Sequence, residues 1–227
     1  METAELASLI KSRRSIRVWQ DKPVPEEILL QAVELATWAP NGANFQNWYF
    51  YIILNKDIIK TIADTVQAST RNMASWPETA QAGGSAFPGR TPQGASAPPR
   101  PQRSPLSAAP AMILVGTRRI ENPRVKILEA RAKVDERAAQ MLQWDSILNA
   151  RLQSASAAIA YLLLVLHQMG LGATWMTGPL ALAKGDIEKI LNIPSDMDIL
   201  VMIPVGYPAE SPTRDRRPVS EVSKVIK

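Results

Sequence analysis

Three segments of this 227-residue chain are apolar on every side, and they limit the folds open to it. Ala111 to Gly116 (AMILVG) and Asp198 to Gly206 (DILVMIPVG) are continuous apolar runs of strand length. They lack the alternation of a half-solvated strand, so both faces must be covered. Ala155 to Met169 has helical spacing and is apolar nearly all round, which puts it in the core or at a subunit interface. Trp48 to Leu54 and Ala173 to Met176 read as further strands. Helical patterns cover residues 3–12, the stretch opened by Pro23 to Glu27 and running to Trp38, Lys56 to Met73, the charged region Arg124 to Asn149, and Gly185 to Ile193. About four strands among six or more helices, without a clean βαβ series, give an α+β class: a small mixed β-sheet flanked by helices. Residues 1–227 read as a single domain.

Two stretches depart from that pattern. Residues 74–110 hold eight of the 18 prolines, four glycines and no valine or isoleucine. Such composition buries too little apolar area to offset its ordering entropy, so an insertion loop or lid is expected at about 74–110. Within it, Pro98-Pro99-Arg100-Pro101 has polyproline character. Residues 207–227 read as a C-terminal arm with a basic tail.

The chain has no cysteine, which excludes thiol chemistry, disulfides and thiolate metal sites. Its single histidine, His167, reads as a structural residue near a helix C-terminus, which argues against a His-rich metal site and a Ser-His-Asp triad of the common type. No GxGxxG follows a strand and no GxxxxGK[ST] is present. The N-terminus is acidic and lacks an apolar signal core. The longest apolar run, Ala155 to Leu166, falls short of the roughly 20 residues of a bilayer span. The expected location is cytoplasmic, with no membrane partner. Net charge is +5, and the arginines gather at 13–17 and 214–217. Two tight clusters suit a small anion better than nucleic acid, which would favour a basic–aromatic stripe.

The candidate binding residues lie near the two ends. Arg13, Arg14, Ser15 and Arg17 follow a helix; guanidinium groups grip phosphate bidentately and a serine adds a neutral donor. Pro40, Asn41, Gly42, Asn44 and Gln46 form a loop whose compact amides donate and accept at once. Gly170-Leu171-Gly172 reads as a helix C-cap, with close backbone approach to a flat ligand as its functional reading. Trp175 and Met176 read as core side chains. Arg214 and Arg216 precede Pro218.

In order and spacing, RRSxR, the APNxxNxQxW loop, GLGxxWMTG and GYPAExP followed by RxRRP resemble the nitroreductase family of FMN-dependent oxidoreductases. The resemblance implies a homodimer with FMN at the interface. It places Arg13 and Ser15 at the phosphate and ribityl chain, with Arg14 beside them and Arg214 and Arg216 closing on the same phosphate. Arg17 falls near the pyrimidine side of the ring. Pro40, Asn41, Gly42, Asn44 and Gln46 line the ring, in part from the partner subunit. Met176, Thr177 and Gly178 pass near flavin N5. Hydride would pass from NADH or NADPH through N5 to a flat small-molecule electron acceptor, a nitroaromatic or quinone, by ping-pong kinetics, with no protein side chain as the catalytic group. The alternatives are reductive dehalogenation or flavin fragmentation on the same fold, and a non-enzymatic basic binding protein. In relatives, amides or lysine before the buried strand touch the ring's polar edge; here Arg103 is the candidate substitute.

Overall fold

The computed structural model describes residues 2–81 and 105–227. The elements run α1 (Thr3–Ser12), α2 (Glu26–Ala36), a 3-10 turn (Gly42–Asn44), β1 (Trp48–Ile53), α3 (Lys56–Ala74), α4 (Pro77–Gln81), α5 (Pro105–Ala108), β2 (Ala111–Arg118), α6 (Pro123–Arg131), α7 (Glu136–Leu148), α8 (Ala150–Gln168), β3 (Gly172–Ala173), α9 (Gly178–Ile190), β4 (Met197–Gly206) and α10 (Val219–Val222). The sheet order is β1-β2-β4-β3. The expected α+β class is present, but the sheet is antiparallel in all three strand pairings rather than mixed. Among the described residues the one parallel contact is an isolated bridge from Ser15 to Ala173.

The two apolar runs are the central strands, and each face of them has its own layer of helices. Ile113, Val115, Val201, Ile203 and Val205 pack on Leu29 and Ala32 of α2 and on Ile159, Leu162 and Leu166 of α8. Met112, Leu114, Ile199 and Met202 pack on Ile59 and Ile62 of α3 and on Leu180 and Ile187 of α9. A bulge explains how Ile199 and Val201 face opposite ways. Val115 pairs with Val201 and Gly116 with Ile199, so Leu200 is left over and the alternation flips. Pro204 sits within β4 because its missing N–H points toward β3. There its carbonyl accepts from Thr174 N at 3.4 Å, and the ladder stays open until Met176 and Met202 exchange two 3.0 Å bonds.

Several boundaries differ from expectation. The charged region is two helices: Asn122 and Asp135 cap α6 and α7 by accepting from the backbone N–H of Arg124 and Ala138. Asn149, at φ 37°, ends α7 and caps α8 by accepting from Leu152 N. Helix α9 starts at Gly178, not near Gly185, because Pro179 fits a first turn. The 74–110 stretch is not loop at its ends, since α4 and α5 occupy them and Leu106 is fully buried. Most of the expected lid, the polyproline motif and Arg103 lie outside the described residues.

Helix α8 is buried along one stripe only. The stretch Glu136–Gln168 contains a window of mean hydropathy 1.3, enough by length and composition to cross a membrane, yet only 22% of that window is buried. It is broken at Asn149, and Ile159, Leu162 and Leu166 are committed to the core. Tyr161 and Leu152 face outward.

Candidate functional site

The two ends of the chain meet beside the sheet edge. After α1 the backbone extends, and Ile16 N donates to Ala173 O at 3.1 Å. On the other side Gln20 N donates to Tyr207 O and Ala209 N to Val18 O, each at 2.9 Å. The Glu210 carboxylate accepts from both Arg17 N and Val18 N. Trp19 is buried, and its indole N–H donates to Gly172 O at 2.8 Å. Two glycines allow this closeness. A Cβ at Gly172 would lie 2.7 Å from Ile16 Cγ1, and one at Gly206 would lie 2.7 Å from Pro110 Cδ and 2.8 Å from Trp19 Cδ1. The close approach at Gly172 is thus to the chain's own N-terminal segment. Gly170, at φ 77°, is the C-cap expected of it, with Leu171 N returning to Leu166 O at 2.8 Å.

This zipper brings Arg13 and Arg14 to Arg216 and Arg214. Burial, then the Arg216 and Arg14 charges, hold the Arg13 guanidinium below arginine's ordinary pKa. Arg14 donates to Lys11 O and Arg13 O, and to Arg214 O at 3.4 Å. Its buried Nε has no hydrogen-bond partner among the described residues. No described carboxylate forms an ion pair with Arg13, Arg14, Arg17, Arg214 or Arg216, although ten ion pairs occur elsewhere. Cations gathered without ion-pair partners repel one another, so an anion bound among them would stabilise the arrangement. Ser15 bridges to Ala173 and stands half-buried between the arginines and the segment leading to α9. Along that segment Met176 is half-buried, Thr177 is exposed, and Gly178 begins α9 without a side-chain cap.

The amide loop lies elsewhere. Asn41 Oδ1 accepts from Gln46 N at 3.0 Å, and Gly42 N donates to Ser154 Oγ at 3.3 Å. Ala43, Asn44 and Gln46 all adopt left-handed backbone, with φ of 51°, 53° and 46°. Such strain in non-glycine residues gathers where surroundings or function demand it. Gly42, Asn44 and Gln46 are exposed, as is Pro40. Ser154 lies in the first turns of α8, whereas His167, beside the arginines, lies in its last. Thirteen residues of helix separate them, about 20 Å at 1.5 Å per residue. One chain therefore does not bring its amide loop to its own arginines.

Sequence reasoning missed Trp19, Glu210 and the contact between His167 Nε2 and Ser12 Oγ at 2.8 Å. Glu210 sits inside the GYPAExP motif, which is the signal that marks it. Nothing local marks the other two. A separate ionic cluster holds the loop's end of the molecule: Asp198 accepts from Arg119 and Arg151, and Lys184 approaches at 3.6 Å. The Arg119 hydrogen bonds, aided by Arg151 and opposed by burial, hold the Asp198 carboxyl well below the usual range.

A sequence profile described as Nitroreductase family matches residues 10–207. A Methanothermobacter thermautotrophicus protein, provisionally named a NADH dehydrogenase/NAD(P)H nitroreductase, is 27% identical over 93% of this chain and 82% of its own length. Among solved structures, a BluB-like flavoprotein from Clostridium difficile 630 superposes with a TM-score of 0.75 at 23% identity, covering 100% of both chains. An iodotyrosine deiodinase bound to FMN and 3-iodo-L-tyrosine gives 0.65 at 23% identity, covering 98% of this chain and 97% of its own.

Proposed function

The chain belongs to the nitroreductase family, and on that premise we propose that it is an FMN-dependent oxidoreductase taking reducing equivalents from NADH or NADPH and delivering them to a flat electrophile such as a nitroaromatic or a quinone. The observation that carries this reading is the meeting of Arg13, Arg14 and Arg216 with no described carboxylate to pair them. That donor set fits a phosphate monoester, and the unpartnered Arg14 Nε is a buried donor in the same cluster. Arg13, Ser15, Arg214 and Arg216 would hold the phosphate. Arg14, tied to three carbonyls, braces the cradle. Arg17, exposed and held at its backbone by Glu210, would place positive charge toward the pyrimidine edge. The backbone of Met176, Thr177 and Gly178 would run along the ring.

Pro40, Asn41, Gly42, Asn44 and Gln46 would line the same ring from a second copy, since about 20 Å of α8 separates a chain's own loop from its own cradle. The outward face of α8 and the exposed Val219, Val222, Val225 and Ile226 of the arm supply apolar area for such a homodimer. Bound FMN supplies the hydride and electron transfer at its N5. The protein's task is to bind it, orient it and tune its charge, which accounts for a site without cysteine or a carboxylate pair. This reading carries a cytoplasmic location, a small-molecule acceptor, and no nucleic-acid or membrane partner.

The test is an absorbance spectrum of freshly purified protein, followed by anaerobic titration with NADH and NADPH. Flavin bands that bleach with either nucleotide and return on adding a quinone support the reading; a colourless chain that takes up no FMN ends it. The likeness to a deiodinase bound to 3-iodo-L-tyrosine favours reductive dehalogenation as the second reading. Iodide release from iodotyrosine exceeding quinone turnover would select it.

A further inference from the structure

The FMN reading, on which this inference rests, leaves the chain's single histidine without a task. His167 stands in the last turn of α8, with Nε2 2.8 Å from Ser12 Oγ at the end of α1. The Ser12 hydroxyl donates to Leu9 O at 3.2 Å. Its oxygen therefore accepts from the ring, and Nε2 carries the hydrogen. Nδ1 has no partner among the described residues and is the ring atom free to take a proton.

Two clefts meet at this pair. One, of about 400 Å³, is an open groove between α1 and α8 that includes Glu5. The other, of about 200 Å³, includes Arg14 and Glu210. Ser12 and His167 line both, so they form the wall between the arginine cradle and the groove. The charged groups around the ring are Arg13 and Arg14 after α1, Glu5 within α1 and Glu210 on the C-terminal arm. Burial, then Arg13 and Arg14, press the ring toward its neutral form. A helix C-terminus favours the cation instead. The imidazole is thus held between opposing influences, and a change in cradle charge tips it.

We propose that His167 is a positioning residue that takes up a proton when the phosphate of FMN enters the cradle of Arg13, Arg14 and Arg216, adding a further positive charge and keeping Ser12 pinned at the rim. A dianion beside the two arginines offsets the repulsion that keeps the ring neutral. The proton comes from solvent in the open groove and binds Nδ1; no other bond forms or breaks. Because the ring binds its proton more tightly in the complex, FMN binding strengthens as pH falls between the two titration midpoints. The phosphate's own second proton, with a pKa of about 6, acts the other way but equally in a chain lacking the ring. The difference between the two chains is therefore the readout.

Since His167 is the only histidine, its imidazole proton resonances in the untagged chain can be followed by NMR without assignment. The titration is run on chains loaded with FMN, loaded with riboflavin, and free of flavin. The expected midpoint with FMN lies about one pH unit above both others, a tenfold change in proton affinity. Coincident midpoints overturn the proposal, and any two of the three samples suffice if one is unstable, provided FMN is one. As a second measurement, the Kd for FMN of wild type and of H167Q, which keeps an N–H donor for Ser12, is compared from pH 8 to pH 6. The wild-type advantage is expected to grow about three- to ten-fold toward pH 6; a pH-independent ratio overturns it. Failure to bind FMN at all overturns the functional reading as well, whereas FMN bound with an unmoved midpoint overturns this inference alone.

Discussion

The arginine cradle and the amide loop sit at opposite ends of α8 and are built in opposite ways. The cradle is assembled from residues some 200 positions apart, held by backbone bonds from 15–20 to 173 and 207–209 and by the Glu210 carboxylate. The loop is local, with Asn41 closing on Gln46 and three left-handed residues exposed to solvent. The cradle's arginines have no ion-pair partner among the described residues, and one buried guanidinium nitrogen is unbonded; the loop carries left-handed backbone in three non-glycine residues. On the proposed reading both are half-sites, the cradle completed by the phosphate of FMN and the loop by the cradle of a second copy.

The contrast can be broken at several points. Removing two cradle arginines together, Arg13→Ala with Arg216→Ala, is expected to weaken FMN binding most, by about 3 kcal/mol or more, with Arg216→Ala alone costing about 1.5–3 kcal/mol. Flavin content after dialysis measures it, and unchanged retention removes the cradle from the cofactor site. A mixture of two weak binders, Arg216→Ala and Asn41→Ala, sharpens the assignment to separate copies. If cradle and loop come from different subunits, each mixed dimer carries one intact site, and refolding the two together restores FMN to about half of those sites. Recovery no better than either variant alone would place both clusters in one chain.

Two smaller effects concern the loop's end of the molecule. Asp198→Asn leaves Arg119, Arg151 and Lys184 without their shared carboxylate and is expected to cost about 1–2 kcal/mol of stability by chemical denaturation. Because the folded carboxyl is held below its unfolded value, the wild-type advantage is full above about pH 4 and shrinks as pH falls further. An advantage that grew with acidity would contradict the ion cluster. Ala43→Gly removes a Cβ from left-handed backbone but loosens the unfolded chain, so stability should change by less than about 1 kcal/mol, and upward if strain dominates. A loss beyond that would mean the Ala43 methyl makes a contact of its own.

Much of the fold was legible because its causes are local. The unbroken apolar run of β2 and the apolar stripe of α3 suffice to mark a strand covered on both faces and an amphipathic helix. The start of α9 was misplaced because Gly178-Pro179 is a breaker in isolation and a good first turn in context. The split between α6 and α7 hides in Asp135, an N-cap visible only once the break is known. The candidate site is marked by motif at Arg13, Ser15 and Arg216, since guanidinium chemistry is fixed by residue type. Trp19 and Glu210 escaped because what they touch is 150 to 190 residues away.

Which segments must be buried, which residues carry positive charge and amides, and which chemistries are absent all follow from side-chain type and spacing along the chain. Only the folded molecule shows that the ends of the chain zip together, that their arginines gather without ion-pair partners among the described residues, and that the amide loop stands a helix length away. Those facts depend on contacts between distant positions and on where two glycines let backbones approach, and no local property of the chain encodes either.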